Sequence, residues 1–206
     1  DSYSSTKIYY RSPSASSYTY TTASSKSVSA TSANNGWWYF YAVDDNGTSN
    51  STVSVYLDTV IPTGKVTNAS GTTIANNGYA NSAIKYTASD TGSGISSLQY
   101  KKPGSTSWTT YTSGTAVTGN GWHTWRALDR AGNYSAEYTV YYDAGAPTGT
   151  LYGGTSTKSS GSYTNKQIVY TASDTNFNYI RYYNPSAGSY YSYYSTAYTV
   201  SATTAN

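Results

Sequence analysis

Residues 121–133 read Gly-Trp-His-Thr-Trp-Arg-Ala-Leu-Asp-Arg-Ala-Gly-Asn, and this stretch decides the fold of the chain. Its alternating large side chains predict a β-strand, and its last five residues predict a tight turn. A related stretch, Gly-Trp-Trp-Tyr-Phe-Tyr-Ala-Val-Asp-Asp-Asn-Gly, occupies residues 36–47. Its first residue, Gly36, precedes Gly121 by 85 residues (121 − 36), which predicts an internal repeat of this length.

Other motifs return at nearly the same interval. The tripeptide Pro-Thr-Gly at 62–64 returns at 147–149, and the segment Tyr-Thr-Ala-Ser-Asp-Thr at 86–91 returns at 170–175. Regular recurrence of strand and turn motifs is typical of an array of similar domains. We therefore expect several copies of one domain along this chain.

The period predicts one complete repeat between two partial ones. The complete repeat spans residues 60–144. The first partial repeat, residues 1–59, holds the C-terminal part of a domain, and the last, residues 145–206, holds the N-terminal part. A truncated β-domain exposes a sheet edge or part of its core, so either further residues or another chain would have to complete it.

Composition favours an all-β fold. Charged residues make up 10% of the chain, against roughly 25% in ordinary globular proteins, whereas aromatic residues make up 17% and include 27 tyrosines. Tyr, Thr, Val and Trp favour strands, and aromatic residues at regular intervals bury enough surface to order a polar chain. A repeat of this length with about seven short strands has the size of an immunoglobulin-like β-sandwich.

Within the complete repeat we predict seven strands, at residues 65–68, 83–89, 95–101, 107–112, 115–118, 122–128 and 134–142. In the sixth strand, period-2 alternation places His123, Trp125 and Ala127 on the core side. Trp122 lies on the opposite, outward side. Asp129 ends the strand, where its carboxylate can accept hydrogen bonds from the following turn.

The sequence favours a protein that is not an enzyme. It has one histidine and no cysteine, and it shows no catalytic triad, phosphate loop or zinc spacing. Most acidic residues recur at equivalent repeat positions, which favours turn caps over an active site. His123 aligns with Trp38 of the first repeat, so we expect it to pack at the edge of the core rather than act as a base.

Charge and hydropathy disfavour two further partners. The formal net charge is +3, and lysines and arginines are scattered singly, so we expect no nucleic-acid binding. No apolar run approaches 18 residues, so we expect no membrane insertion.

Three motifs carry a resemblance to a known group of domains. Residues 90–95 (Asp-Thr-Gly-Ser-Gly-Ile), residues 127–133 and residues 143–148 (Asp-Ala-Gly-Ala-Pro-Thr) resemble those of bacterial Ig-like repeats. Such repeats occur in tandem in secreted and cell-surface proteins, especially of Gram-positive bacteria. The resemblance implies tandem Ig-like sandwiches at an extracellular or bacterial cell-surface location, used as stalks, adhesin modules or accessory domains.

The segments between repeats predict a stiff arrangement. The connecting segments 58–62 and 143–147 are short, and each ends in proline. Proline fixes its own φ and restricts the conformation of the residue before it. We therefore expect an extended rod that serves as a structural stalk or adhesive fibre. Its partners would be neighbouring repeats of the same chain, and alternatively identical chains in a filament that complete each other's sandwiches by strand addition.

Exposed aromatic residues raise the alternative of a glycan-binding accessory module. A flat ring beside hydrogen-bonding groups is a typical sugar platform, and the partners would be host or cell-wall glycans. The candidates are Trp37, Trp122, Tyr39 and Tyr191. The simpler interpretation is that outward rings pair across strands and stiffen the sheets.

Calcium is the one metal that the sequence leaves open. Asp90 and Asp129 each follow or end a strand, the two strands belong to opposite sheets, and Asn133 lies close in sequence to Asp129. If these residues meet at one end of the domain, they could form an oxygen site. The competing interpretation, which we favour, is that both carboxylates cap turns and that no cofactor is bound.

Overall fold

The computed structural model describes residues 6–201, and in this part of the chain it contains β-strands and one short 3₁₀ helix, Ser32–Asn34. The predicted all-β fold is confirmed. The chain divides into two compact units, Asp1–Ala144 and Gly145–Asn206. The finer division into three repeats stays a prediction, and Asp1, which aligns with Asp90 as the start of the first partial repeat, lies outside the described residues.

The first unit begins with a single four-stranded antiparallel sheet of order β2-β1-β3-β4. Its strands are β1 (Lys7–Arg11), β2 (Thr19–Thr21), β3 (Gly36–Val43) and β4 (Val53–Leu57). One face of this sheet is incompletely covered. Val55 is 55% exposed, whereas Val140, its equivalent in the next repeat, is fully buried.

Two sheets form a β-sandwich in the rest of the first unit, in the orders β6-β5-β8 and β10-β9-β11-β12-β7. All pairings are antiparallel except that of β12 with β7, which is parallel. The strands are β5 (Thr63–Asn68), β6 (Thr73–Ile74), β7 (Gly78–Ala80), β8 (Ile84–Ser89), β9 (Ile95–Lys101), β10 (Thr109–Tyr111), β11 (Gly121–Asp129) and β12 (Tyr138–Tyr142).

The sandwich core is built on Trp125, which is fully buried. Its ring stacks on Tyr86 of the opposite sheet, with centroids 5.9 Å apart and planes at 10°. Val66, Ile84 and Val140 complete this centre and are also fully buried. Along β11 every second residue from His123 to Asp129 is buried, so the predicted core face is confirmed.

Strand prediction fails at four places in the sandwich. The segment predicted as a fifth strand, 115–118, forms only an isolated bridge between Val117 and Ile84. The last strand begins at Tyr138 rather than 134, because the preceding residues form only an isolated bridge between Tyr134 and Leu128. The short strands β6 and β7 were not predicted, since two or three residues carry no periodic pattern.

In two of the recurring motifs, steric contacts require the residue to be glycine. Gly121 and Gly36 both have a positive φ, near +125°, and a Cβ at either position would press on the ring of Pro103 or Pro13. Gly64, in the Pro-Thr-Gly motif, lies against the Tyr86 hydroxyl with no room for a side chain. These contacts explain why the two motifs recur.

The second unit contains a four-stranded sheet of order β14-β13-β15-β18 and a separate hairpin, β16-β17. Ile180 of the hairpin is buried. Within residues 6–201 no helix is long and apolar enough to span a membrane. The strands are β13 (Thr148–Gly153), β14 (Ser156–Lys158), β15 (Ile168–Ser173), β16 (Ile180–Asn184), β17 (Ser189–Tyr193) and β18 (Ala197–Val200).

Candidate functional site

Three aspartates meet where the first sheet leads into the sandwich, and we call this place the joint. Asp58 follows β4, Asp90 follows β8, and Asp129 ends β11. One oxygen of each carboxylate lies within 4.8 Å of the others. Asp90 and Asp129, which follow or end strands of opposite sheets, therefore approach one another here. Asp58 was missed, although its recurrence as Asp143 at the end of a strand was a usable signal.

Asp129 and Asp90 both cap turns, as the favoured interpretation predicted. Asp129 accepts hydrogen bonds from the backbone N–H of Asn133 at 2.8 Å and from its Nδ2 at 2.7 Å. Asp90 Oδ2 accepts from the N–H groups of Gly92 at 3.0 Å and Gly94 at 2.7 Å. Each carboxylate therefore fixes the loop that follows its own strand.

Asp58 connects the two parts of the first unit. Its Oδ2 accepts from the N–H of Ser93 at 2.5 Å, and its Oδ1 accepts from the N–H of Val60 at 2.9 Å. Burial pushes the pKa of Asp58 upward, but hydrogen bonds from Ser93 and Val60 outweigh burial and hold that pKa below its ordinary value. A side chain at Gly92 would overlap the Asp58 carboxylate, so the loop must approach this closely.

Asn133 closes the joint from the sandwich side. Its Nδ2 donates to the backbone carbonyls of Asp58 at 3.1 Å and Val60 at 3.3 Å. On the other side, the N–H of Thr59 donates to Asn35 Oδ1 at 3.1 Å. The connecting segment, residues 58–60, therefore makes hydrogen bonds with both repeats.

The joint contains three carboxylates that could hold a divalent cation. Among the described residues no lysine or arginine nitrogen lies within 4.0 Å of the three carboxylates. Asp90 Oδ1 is buried and has no hydrogen-bond partner there. Clustered carboxylates repel one another, and oxygen ligands of this kind suit Ca²⁺. Asp58, Asp90 and Asp129 fit such an ion, whereas the Asn133 amide is engaged through its nitrogen.

His123 is part of the buried core. It is fully buried rather than at the core edge, where we expected it. Its Nε2 lies 2.6 Å from the carbonyl of Gly119, which can only accept, so Nε2 carries the proton. Nδ1 then accepts from the Tyr100 hydroxyl at 2.7 Å. Burial, with a smaller contribution from Tyr111, raises the pKa of Tyr100 to about 12, so this hydroxyl keeps its proton.

Trp37 and Tyr39 lie side by side on the outward face of β3. Trp37 is 50% exposed, and its ring centroid is 6.4 Å from that of Tyr39 and 5.4 Å from that of Tyr56. Tyr39 is half-buried beneath the Arg11 guanidinium, 4.2 Å away. The outward orientation predicted for Trp37 is therefore found in the structure.

The other two aromatic candidates belong to separate clusters. Trp122 is 43% exposed and packs against Tyr79 and Tyr141, with centroids 5.9 and 5.0 Å away. Tyr191, in the second unit, is exposed and stacks on Tyr182 across the β16-β17 hairpin. The structure therefore offers several aromatic surfaces, and cross-strand pairing contributes to each of them.

Comparison with known proteins gives a distant likeness. The chain is similar to the structures of Clostridium thermocellum CbhA fibronectin(III)-like modules, with 22% sequence identity and a TM-score of 0.34. The likeness covers 66% of this chain and 76% of that chain. No family model matches the sequence, and no curated protein matches it.

Proposed function

We propose that this chain is a non-catalytic stalk or adhesive-fibre segment of an extracellular bacterial surface protein. The observation that carries the proposal is the joint, where Asp58 and Asn133 tie the connecting segment to the sandwich. A stalk needs stiff connections between its domains, and this segment has none of the composition of a flexible linker. The motifs shared with bacterial Ig-like repeats support the extracellular location.

The end of each repeat in the first unit is held in the same way. Thr59 donates its N–H to Asn35 Oδ1, and 85 residues later Ala144 donates its N–H to Asn120 Oδ1 at 3.3 Å. Recurrence of this contact supports a fixed chain direction at the end of both of these repeats. Tandem copies with stiff connections would extend the reach of whatever the parent protein presents.

Distance measurements between spin labels test the stiffness of the joint. The chain has no cysteine, so Thr19→Cys and Thr110→Cys would place labels on exposed sites of the first sheet and the sandwich. We expect a narrow distance distribution, broadened by Asn133→Ala and unchanged by Ser96→Ala, an exposed control. A broad distribution in the otherwise unaltered chain would contradict the stalk proposal.

A calcium site at the joint is a second candidate function, favoured by the buried and unpartnered Asp90 Oδ1. Calcium would relieve repulsion among the three carboxylates and stiffen the joint further. Extracellular calcium modules bind at roughly 10⁻⁴–10⁻³ M. At ten times the Kd, binding would add roughly 1.4 kcal/mol, or about 3–6 °C in Tm.

Calcium titration with matched variants tests this candidate. We expect Tm to rise in 10 mM CaCl₂ relative to EDTA, and Asp129→Ala or Asp90→Asn to abolish the rise. Asp45→Asn, which neutralises an exposed carboxylate outside the joint, is the control. An unchanged Tm in millimolar calcium would leave turn capping as the sole role of these aspartates.

Glycan binding is a third candidate, supported by the exposure of Trp37 and Trp122 at equivalent positions. The partners would be cell-wall or host glycans. Filament formation by identical chains is a fourth, supported by the exposed Val55 on the incompletely covered sheet. A glycan screen with Trp37→Ala and Trp122→Ala tests glycan binding. The concentration dependence of molecular mass tests filament formation.

A further inference from the structure

A groove opens beside the joint, where one end of the first sheet meets two loops of the sandwich. Its volume is about 430 Å³, and its lining residues are Trp37, Tyr56, Gly92, Ser93, Arg130 and Ala131. This volume falls within the range of small-ligand sites, roughly 300–1,000 Å³. Such sites occur preferentially between domains and combine aromatic rings with a few polar groups, as this groove does.

Trp37 gives the groove an accessible aromatic wall. Half of its surface is exposed, although Tyr56 packs against it at an interplanar angle of 81°. Its equivalent, Trp122, has a further neighbour in Tyr79 of β7. Aromatic rings of this kind pack against the apolar faces of sugar rings.

Arg130 brings a positively charged side chain to the groove. Its Nη1 donates to the Ser93 carbonyl at 3.4 Å, and among the described residues no carboxylate lies within 4.0 Å of its guanidinium. The lining residues include no acid. Asp58 and Asp129 lie nearby but are buried and bonded to the joint loops, so Arg130 is the charged group that the groove presents.

We propose that this groove binds a saccharide that carries a carboxylate, with a sugar ring against Trp37 and the carboxylate on Arg130. A guanidinium binds a carboxylate through two parallel hydrogen bonds, which favours an acidic sugar over a neutral one. The proposal rests on the glycan-binding candidate above and adds the place and the chemical class. It also assigns different roles to Trp37 and Trp122, which the repeat alone does not distinguish.

Calorimetric titration of the whole chain with two trisaccharides tests the proposal. The acidic probe is a trimer of galacturonic acid, and the neutral probe is a trimer of glucose. We expect the acidic trimer to bind at least tenfold more tightly. Added salt should weaken its binding, because part of the attraction is electrostatic.

Variants locate the site. Trp37→Ala and Arg130→Gln should each weaken binding of the acidic trimer at least tenfold, with circular dichroism and Tm confirming the fold. Tyr20→Ala and Lys102→Gln remove an exposed ring and an exposed charge outside the groove and should leave the affinity unchanged. Loss of binding in Trp122→Ala but not in Trp37→Ala would overturn the location.

The outcomes separate this proposal from the broader glycan candidate. If the neutral trimer binds as tightly as the acidic trimer, and Trp37→Ala abolishes this binding, the preference for acidic saccharides is overturned. A glycan site at the groove would then remain. Acidic binding that survives Arg130→Gln would overturn the role of the guanidinium. No binding of either trimer at millimolar concentration by folded protein would overturn the proposed groove site.

Discussion

His123 and Trp38 occupy equivalent positions and make the same kind of hydrogen bond. His123 Nε2 donates to the carbonyl of Gly119, and Trp38 Nε1 donates to the carbonyl of Asn34 at 2.8 Å. In each repeat the acceptor precedes the ring by four residues. Burial lowers the pKa of His123, because desolvation disfavours the charged ring, and the Gly119 carbonyl only partly opposes this.

This burial predicts a pH dependence of stability near neutrality. The unfolded chain takes up a proton on His123 near pH 6.5, whereas the folded chain does so only at lower pH, so protonation favours unfolding. We expect Tm to fall as the pH is lowered from 7 to 5. His123→Trp should remove this slope while keeping the ring N–H, and an unchanged slope in that variant would contradict the assignment.

Asp58 predicts a second pH dependence, in acid. Its pKa is held below the ordinary value, so its contribution to stability is complete above about pH 4 and is lost as the pH falls through the folded-state pKa. The free energy of unfolding, measured with urea, should fall between pH 5 and pH 2. Asp58→Asn should make this loss of stability smaller. Asp45→Asn, at an exposed site, is the control and should leave the loss unchanged.

At the scale of elements, the sequence predicts long alternating strands well and short ones poorly. β11 carries four alternating core residues, so its buried face could be predicted, and its limits to within one residue at each end. The three-residue β7 has no such pattern, and its pairing with β12 depends on contacts distant in sequence. Similarly, the Asp58 carboxylate belongs to the joint because of tertiary packing, which local spacing does not show.

The Pro-Thr-Gly motif leads to a prediction about the pairing of β5 with β8. Gly64 faces Ala88 across these strands and lies against the hydroxyl of Tyr86, whose ring is fixed by stacking on Trp125. Gly64→Ala should therefore cost about 1–3 kcal/mol in the free energy of unfolding, measured with urea. Thr63→Ala, at the exposed neighbouring residue, should cost clearly less, and equal costs would argue against the steric explanation.

At the scale of the whole molecule, the first sheet predicts association between chains. Val53 and Val55 are 58% and 55% exposed on the face whose counterpart is buried in the sandwich. Exposed apolar faces tend to pair. We expect the weight-average mass in sedimentation equilibrium to rise with protein concentration, with the face of a second copy covering this sheet.

Charge substitutions on the two faces of β4 test this expectation. Val55→Glu should keep the chain monomeric, because it places a carboxylate on the apolar face. Ser54→Glu, on the opposite face of the same strand, is the matched control and should leave association unchanged. A monodisperse monomer at high concentration of the unaltered chain would contradict both association and the filament candidate.

The parallel pairing of β7 with β12 has a mechanical consequence. Val140, Tyr141 and Tyr142 lie beside Gly78, Tyr79 and Ala80, with both strands running in the same direction. A pulling force applied to the chain before β7 and after β12 would load these two strands in shear. Their hydrogen bonds would then bear the load together instead of opening one at a time, which suits a domain that must hold under tension.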